Sequence, residues 1–410
     1  MVKSLTLTDT RESWFRLIIV FFIASVGNVG LWSIVYVMPF VEAEFGLARS
    51  QTSLPYSLTM IGFAVGNLIF GWLLDRYGLF LILIGATLLI SLGYFSAVLS
   101  SSILIFSIIQ FLIGLGTAVS FAPLMADISH WFAKYRGVAL AVTASGNYFS
   151  GALSSLLLAE TLEMNGWRVA YILLGAICFT IIIPLAFILN RGKTRSKNAV
   201  STQDESNRSL GKDPFLSVST ITFLLCLAAI SCCVAMSMPQ VHIVSYCVDL
   251  GFGSQLGSQM LAAMLIGGVL SRLIFGFVAD WLGGLRTVLI SSALQCIALF
   301  LYLPFDGMVS LFAVSFIFGL SQGGIIPSYA VVVREFMPTN VAGSKIGLII
   351  MCTIIGMASG GFLSGWIFDF TGSYQAAFIN GIIWNFLNFL IIGFVFYLWK
   401  VRVANPHHVN

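Results

Sequence analysis

The chain has 410 residues, 59% of them from the hydrophobic set AVILMFWYC and only 9% charged, with a formal net charge of +4. An average soluble domain carries about 25% charged residues, so a water-soluble enzyme, a disordered chain and a secreted disulfide scaffold are all excluded. At about 20 residues per bilayer-spanning helix, the apolar content suffices for about twelve spans and leaves little for any domain outside the membrane.

In chain order, apolar runs near 17–40, 50–73, 80–98, 103–127, 138–158 and 168–190 predict six helices. The first run is too long for a signal-peptide core and no A-x-A site follows it, so it is expected to be a retained helix. A stretch rich in Lys, Arg, Ser, Asp and Asn follows, too polar and too short to fold alone. Six more runs lie near 215–247, 254–279, 287–304, 308–332, 344–368 and 374–399. Barrels need alternating strands of about ten residues, which these continuous runs are not. The expected fold class is therefore an all-α membrane protein with twelve transmembrane helices. Its expected division is a six-helix half over 1–190, a cytoplasmic linker over 191–214 and a second half over 215–410.

Basic residues set the orientation. With the N-terminus inside, seventeen Lys and Arg side chains fall on the cytoplasmic side, Arg49 and Arg168 fall outside, and Arg272 lies within a helix. This bias is the positive-inside pattern, and an even number of spans places both termini in the cytoplasm. The seven cysteines lie in or beside apolar runs and show no metal-ligand spacing, so they read as packing residues. No phosphate loop, zinc motif or nucleophile triad is present, and neither an enzymatic activity, a cofactor nor a nucleic-acid partner is expected.

The two sets of helices repeat each other. Gly71-Trp72-Leu73-Leu74-Asp75-Arg76-Tyr77-Gly78 recurs 205 residues later as Gly276-Phe277-Val278-Ala279-Asp280-Trp281-Leu282-Gly283, and Gly137, Gly146 and Gly151 recur as Gly347, Gly356 and Gly361. Such duplication describes a transporter built from two parallel halves. The G-x-x-x-D-R-x-G block resembles the signature loop of the major facilitator superfamily, although Leu79 and Phe80 stand where basic residues often follow it and Trp281 replaces the second Arg. Trp131-Phe132-Ala133-Lys134-Tyr135-Arg136-Gly137, leading to Ala144-Ser145-Gly146, is similar to a segment of the monocarboxylate and oxalate/formate porters. So is His242…Tyr246…Asp249-Leu250-Gly251 with Arg272 before Gly276. The resemblance implies the major facilitator fold with two pseudo-symmetric halves, gating roles for Asp75, Arg76, Asp280 and Arg136, and Arg272 as the partner of a substrate carboxylate.

The polar residues inside the spans are the candidate site. Arg272, four residues before Gly276, where the helix is expected to reach the cytoplasmic side, should lie about 6 Å inside the boundary. A guanidinium there is costly and suits bidentate binding of a carboxylate; snorkelling to the headgroups is the alternative. No Asp or Glu falls mid-span, so an anionic substrate is the expected source of the opposite charge, and one buried cation favours a monoanion. Met238, His242 and Tyr246 share one helix face, as do Asn28, Trp32 and Tyr36. Those faces suit a lined cavity or, alternatively, helix-to-helix hydrogen bonds. Asn67 occupies the repeat position of Arg272, and Asn147 and Gln322 complete the candidate set. Histidine is the side chain whose ordinary titration falls near neutral pH, so His242 is the candidate carrier of a co-transported proton. The expected function is a monomeric secondary transporter of a small organic anion, working by alternating access, proton-coupled or by exchange, in a bacterial inner membrane among lipid. The alternatives are a carrier of a neutral or aromatic solute with Arg272 structural, and a receptor that binds without transporting.

Overall fold

The computed structural model describes residues 8–191 and 216–404. The linker expected over 191–214 therefore lies outside the described residues except for Arg191, as does the Asp75 side chain. Helix is the only regular structure among the described residues. In lipid every backbone N–H and C=O must find an internal partner, and a single chain segment can do that only as a helix.

The first six spans are α1 (Arg11–Phe45), α2 (Arg49–Leu74), α3 (Arg76–Val98), α4 (Ile103–Ser129), and α5 and α6, which divide the stretch Arg136–Asn190. That stretch has 55 residues, about 80 Å of continuous helix against a hydrocarbon core of about 30 Å. It therefore crosses twice, turning at Gly166, whose φ is 80°. The second six are α7 (Val218–Asp249), α8 (Gly253–Leu282), α9 (Gly284–Leu301), α10 (Met308–Phe336), α11 (Val341–Thr371) and α12 (Tyr374–Arg402).

The turn between α2 and α3 explains the repeated block. Gly78 has φ 75° and ψ 164°, a region that only glycine occupies without strain. Gly283, its counterpart 205 residues on, has φ 83° and ψ 161°. The closing glycine of each copy is thus fixed by backbone geometry.

The described residues form two compact units that divide within the 192–215 stretch. The short segment Ala48–Ser53 groups with the second unit, although its neighbours in sequence belong to the first. Each unit has a close crossing made possible by paired glycines. In the first, a Cβ on Gly62 would come within 2.1 Å of the Phe111 carbonyl oxygen, and one on Gly114 within 2.0 Å of that of Thr59. In the second, Gly267 and Gly319 meet the carbonyls of Phe316 and Met264 at 2.6 and 1.9 Å. The four glycines pair at an offset of 205 residues, so α2 with α4 and α8 with α10 are the same construction. An aromatic pair repeats too. Tyr94 packs edge-on to Tyr171 and bonds Ser33 Oγ at 3.0 Å, while Tyr302 stacks on Phe378 and bonds Ser315 Oγ at 3.0 Å.

Three spans are interrupted. Between Gly27 and Val29, α1 breaks at Asn28; α4 passes through a 3-10 turn at Ala118–Ser120; and α10 breaks at Gly323 and Gly324. The α4 and α10 breaks are again 205 residues apart. Broken helices are tolerated in membranes only where protein or a cavity satisfies the freed backbone, and they are a common way of placing transporter sites.

Candidate substrate and gating sites

In the first unit most candidate side chains are already engaged. The fully buried Asn28 donates Nδ2–H to the carbonyls of Ala24 at 2.8 Å and Ser120 at 3.0 Å, so it ties the break in α1 to the break in α4. Asn147 receives the Trp32 indole N–H on Oδ1 at 2.8 Å and on its own carbonyl at 2.9 Å. Half-buried Asn67 donates back to Phe63 O, one turn earlier, at 2.8 Å. Tyr36 is fully buried. Gln110 bridges Thr59 on α2 and Tyr171 on α6. The bonds of Asn28, Asn147 and Gln110 join elements within the unit, the role that polar side chains commonly play between transmembrane helices.

In the second unit Arg272 is only 8% exposed. The helix carrying it runs on to Leu282, six residues past Gly276. Arg272 therefore sits about 15 Å from the helix end, and protein covers it. Its neighbour Ser271 packs against the α10 break, where a Cβ on Gly323 would lie 2.8 Å from Ser271 Cβ and 2.3 Å from the Gly268 carbonyl. Gln322, the last residue before that break, is 0% exposed, and neither atom of its amide has a hydrogen-bond partner among the described residues. Leaving such a group unpaired costs about 1–3 kcal/mol. Gln240 on α7 is in the same condition.

His242 and Tyr246 belong elsewhere along the axis. They lie toward the end of α7 that meets the start of α12, whereas Arg272 lies toward the opposite end of α8. The imidazole of His242, fully buried, lies between the carbonyl of Gly361 on α11, 2.8 Å from Nε2, and the hydroxyl of Tyr374 on α12, 3.1 Å from Nδ1. Tyr246 packs edge-on to both Tyr374 and Phe378. The structure thus places Arg272 and Gln322 at one level of the unit and His242 and Tyr246 at another.

Above His242 lies an ionic cluster. Arg49 donates Nη1–H to Tyr374 Oη at 2.7 Å and Nη2–H to Asp249 at 3.0 Å, and its guanidinium lies 4.6 Å from the Phe368 ring centre. Asp369, near the end of α11, accepts the backbone N–H groups of Arg49 at 2.7 Å and Ser50 at 2.8 Å. A carboxylate on the first two amides of α2 opposes the positive end of that helix dipole.

The gating candidates lie at the other ends of the helices. Arg76, Arg136 and Asp280 are exposed, and Arg76 stacks over Trp72 and Tyr77 of its own turn. The carboxylate that meets a helix N-terminus there is Glu335, which accepts the Gly284 N–H at the start of α9 at 3.0 Å. At the same ends in the first unit, Arg16 forms a two-pronged pair with Asp127 at 2.8 Å and also donates to Leu189 O. Asp9 accepts three backbone N–H groups, from Ala133, Lys134 and Tyr135. Desolvation pushes its pKa up, but those amides outweigh it and hold the carboxyl below the usual range.

Glu335, Asp369 and Tyr374 were not singled out in the sequence. Each stands at the end of a span, where a polar residue is expected in any membrane protein, so nothing in their spacing marked them. Arg49 did carry a signal, as one of two basic residues left on the far side.

Residues 17–352 match the Major Facilitator Superfamily, and the chain belongs to that family of membrane transporters. It is similar to the sialic acid transporter NanX of Escherichia coli, with 22% identity over 88% of this chain and 89% of that one. It is also similar to human monocarboxylate transporter 11, with 27% identity over 74% of this chain and 66% of that one. The fold matches the crystal structure of the nucleoside transporter NupG at a TM-score of 0.72, with 14% identity over 92% of this chain and 99% of that one. Twelve helices in two six-helix halves are therefore the fold of an integral, multi-pass membrane protein.

Proposed function

We propose that this transporter carries a small organic anion, most simply a monocarboxylate, and that Arg272 binds its carboxylate. One observation carries the reading: a guanidinium that is always charged lies covered by protein deep in α8, beside the break in α10. Burying such a group is expensive, and a planar carboxylate is the ligand that matches its paired N–H groups. The names of NanX and of monocarboxylate transporter 11 both state an acid as cargo, which supports the same class.

Transport proceeds by alternating access, with proton symport or exchange of anions as the energy source. The carrier works as a monomer in a bacterial inner membrane with both termini in the cytoplasm. In that setting Asp75, Arg76, Arg136 and Asp280 gate the cytoplasmic side, while Asn28, Tyr36, Asn67 and Asn147 in the first unit and Gln322, His242 and Tyr246 in the second are the further substrate-contacting candidates. The buried amide of Gln322, with no partner among the described residues, favours a second reading. There the cargo is a neutral solute and Arg272 is structural.

Uptake of labelled monocarboxylates into proteoliposomes separates the two readings. On the anion reading Arg272→Ala abolishes uptake and Arg272→Lys leaves a fraction of it, since a point charge survives but the two-pronged geometry does not. Acid uptake unchanged in Arg272→Ala would overturn the assignment.

A further inference from the structure

For a neutral imidazole the hydrogen-bond pattern around His242 has one consistent arrangement of protons. A carbonyl can only accept, so the contact with Gly361 O requires the hydrogen on Nε2. Neutral imidazole then presents a lone pair at Nδ1, and Tyr374, 3.1 Å away, must donate its hydroxyl hydrogen there. The Tyr374 oxygen in turn accepts the Arg49 Nη1–H at 2.7 Å. The chain of donors thus runs from Arg49 to Tyr374 to His242 to Gly361.

A proton added at Nδ1 reverses the middle link. The imidazolium becomes a donor toward an oxygen that already receives Arg49, and the tyrosine hydroxyl must turn away. Two positive charges then flank one oxygen at a fully buried position. Five other groups bear on this place. Tyr246 lies on the same helix and Tyr374 on α12; Arg49 and Asp249 meet above them, and Asp369 stands at the end of α11. The two carboxylates are engaged by the Ala48–Ser53 segment, Asp249 through the Arg49 guanidinium and Asp369 through two backbone amides. If Arg49 leaves, both stay behind on α7 and α11, and a proton on His242 restores the lost positive charge. The cluster keeps one cation in either condition.

We infer that His242 is the carrier's proton-binding site, and that its protonation and the seating of Arg49 on Tyr374 exclude one another. The inference rests on the reading of the chain as a carrier and adds the coupling ion and its place. Protonation frees the Ala48–Ser53 segment from the second unit, and loss of the proton reseats it. The seated arrangement binds one proton fewer, so it gains stability as pH rises.

Hydrogen–deuterium exchange on the full-length protein tests this without any substrate. The amides of Arg49 and Ser50, held by Asp369, are read at about pH 4 and pH 7.5, a range wide enough to protonate a buried histidine, and corrected for the intrinsic effect of pH. The expected result is exchange faster by about tenfold or more at the lower pH, with no such change around Arg168. In His242→Gln and in Tyr374→Phe the pH response should disappear. Equal corrected exchange at both pH values in the unmodified protein would overturn the inference whatever the variants do. So would a response in Tyr374→Phe or His242→Gln equal to that of the unmodified protein. Failure to transport any organic acid would instead overturn the cargo reading and leave this result standing.

Discussion

The far ends of the two units are built on the same plan with one difference. Glu44 closes α1 and Asp249, 205 residues on, closes α7; Trp167 and Tyr374 open α6 and α12. In the first unit the acid is served from within. Trp167 donates its indole N–H to Glu44 at 2.7 Å, and Arg168, the next residue, pairs with the same oxygen at 2.5 Å while bonding the Val98 and Ser100 carbonyls. In the second unit Gln375 follows Tyr374, and the cation is Arg49, brought in by a segment whose chain neighbours belong to the first unit. Side-chain exposure marks the difference as well: Arg168 is 37% exposed, Arg49 8%. A duplicated fold thus keeps one acid site self-contained and makes the other depend on a segment whose neighbours in sequence belong to the first unit.

The comparison can be tested by first disturbing what the units share. Gly114→Val and Gly319→Val should each destabilise the protein strongly, by about 1–3 kcal/mol or more, because backbone carbonyls lie where the new side chains would go. Thermal unfolding should show similar losses for both; a large loss for one alone would mean the two crossings are not equivalent. The ends should then diverge. Arg49→Gln is expected to cut transport by roughly tenfold, by removing the charge that Asp249 and Tyr374 share. Arg168→Gln should stay within about twofold and cost under about 1 kcal/mol, as exposed ion pairs do. Equal effects on proteoliposome transport would erase the distinction. The smallest effect is expected at Asp9, whose pKa is held below that of an ordinary aspartate by the three amides. A depressed carboxylate contributes stability above its unfolded pKa and loses it as pH falls through the folded value. Protection of the 133–135 amides should therefore persist through pH 5, decline only in stronger acid, and be missing in Asp9→Asn.

The fold was largely legible in the sequence because lipid leaves few choices. Continuous apolar runs become helices, and glycines with identical neighbours at one offset become identical turns and crossings. The repeat even explains the closing glycine of each signature block through its positive φ. The candidate site was less legible. Arg272 stood out by charge alone, and α8 closes at Gly283, the last residue of the repeated block. Asn28 was a candidate through the face it shares with Trp32 and Tyr36, and Asn147 through its place in a span; the structure shows the Asn28 Nδ2 bonding at two helix breaks and Asn147 receiving Trp32. Periodicity shows which residues share a face, but not whether that face meets a ligand or another helix. Tyr374 and Asp369 carry no periodic signal at all, since their partners arrive from distant segments.

Counterflow of a labelled organic acid in proteoliposomes tests the central claim most directly, with the unmodified protein and Arg272→Ala compared at equal pH on both sides. The account predicts accumulation against unlabelled acid by the former and none by the latter, with both proteins equally folded. Counterflow of acids that survives in Arg272→Ala, or that is absent from the unmodified protein while a neutral solute exchanges, would contradict it.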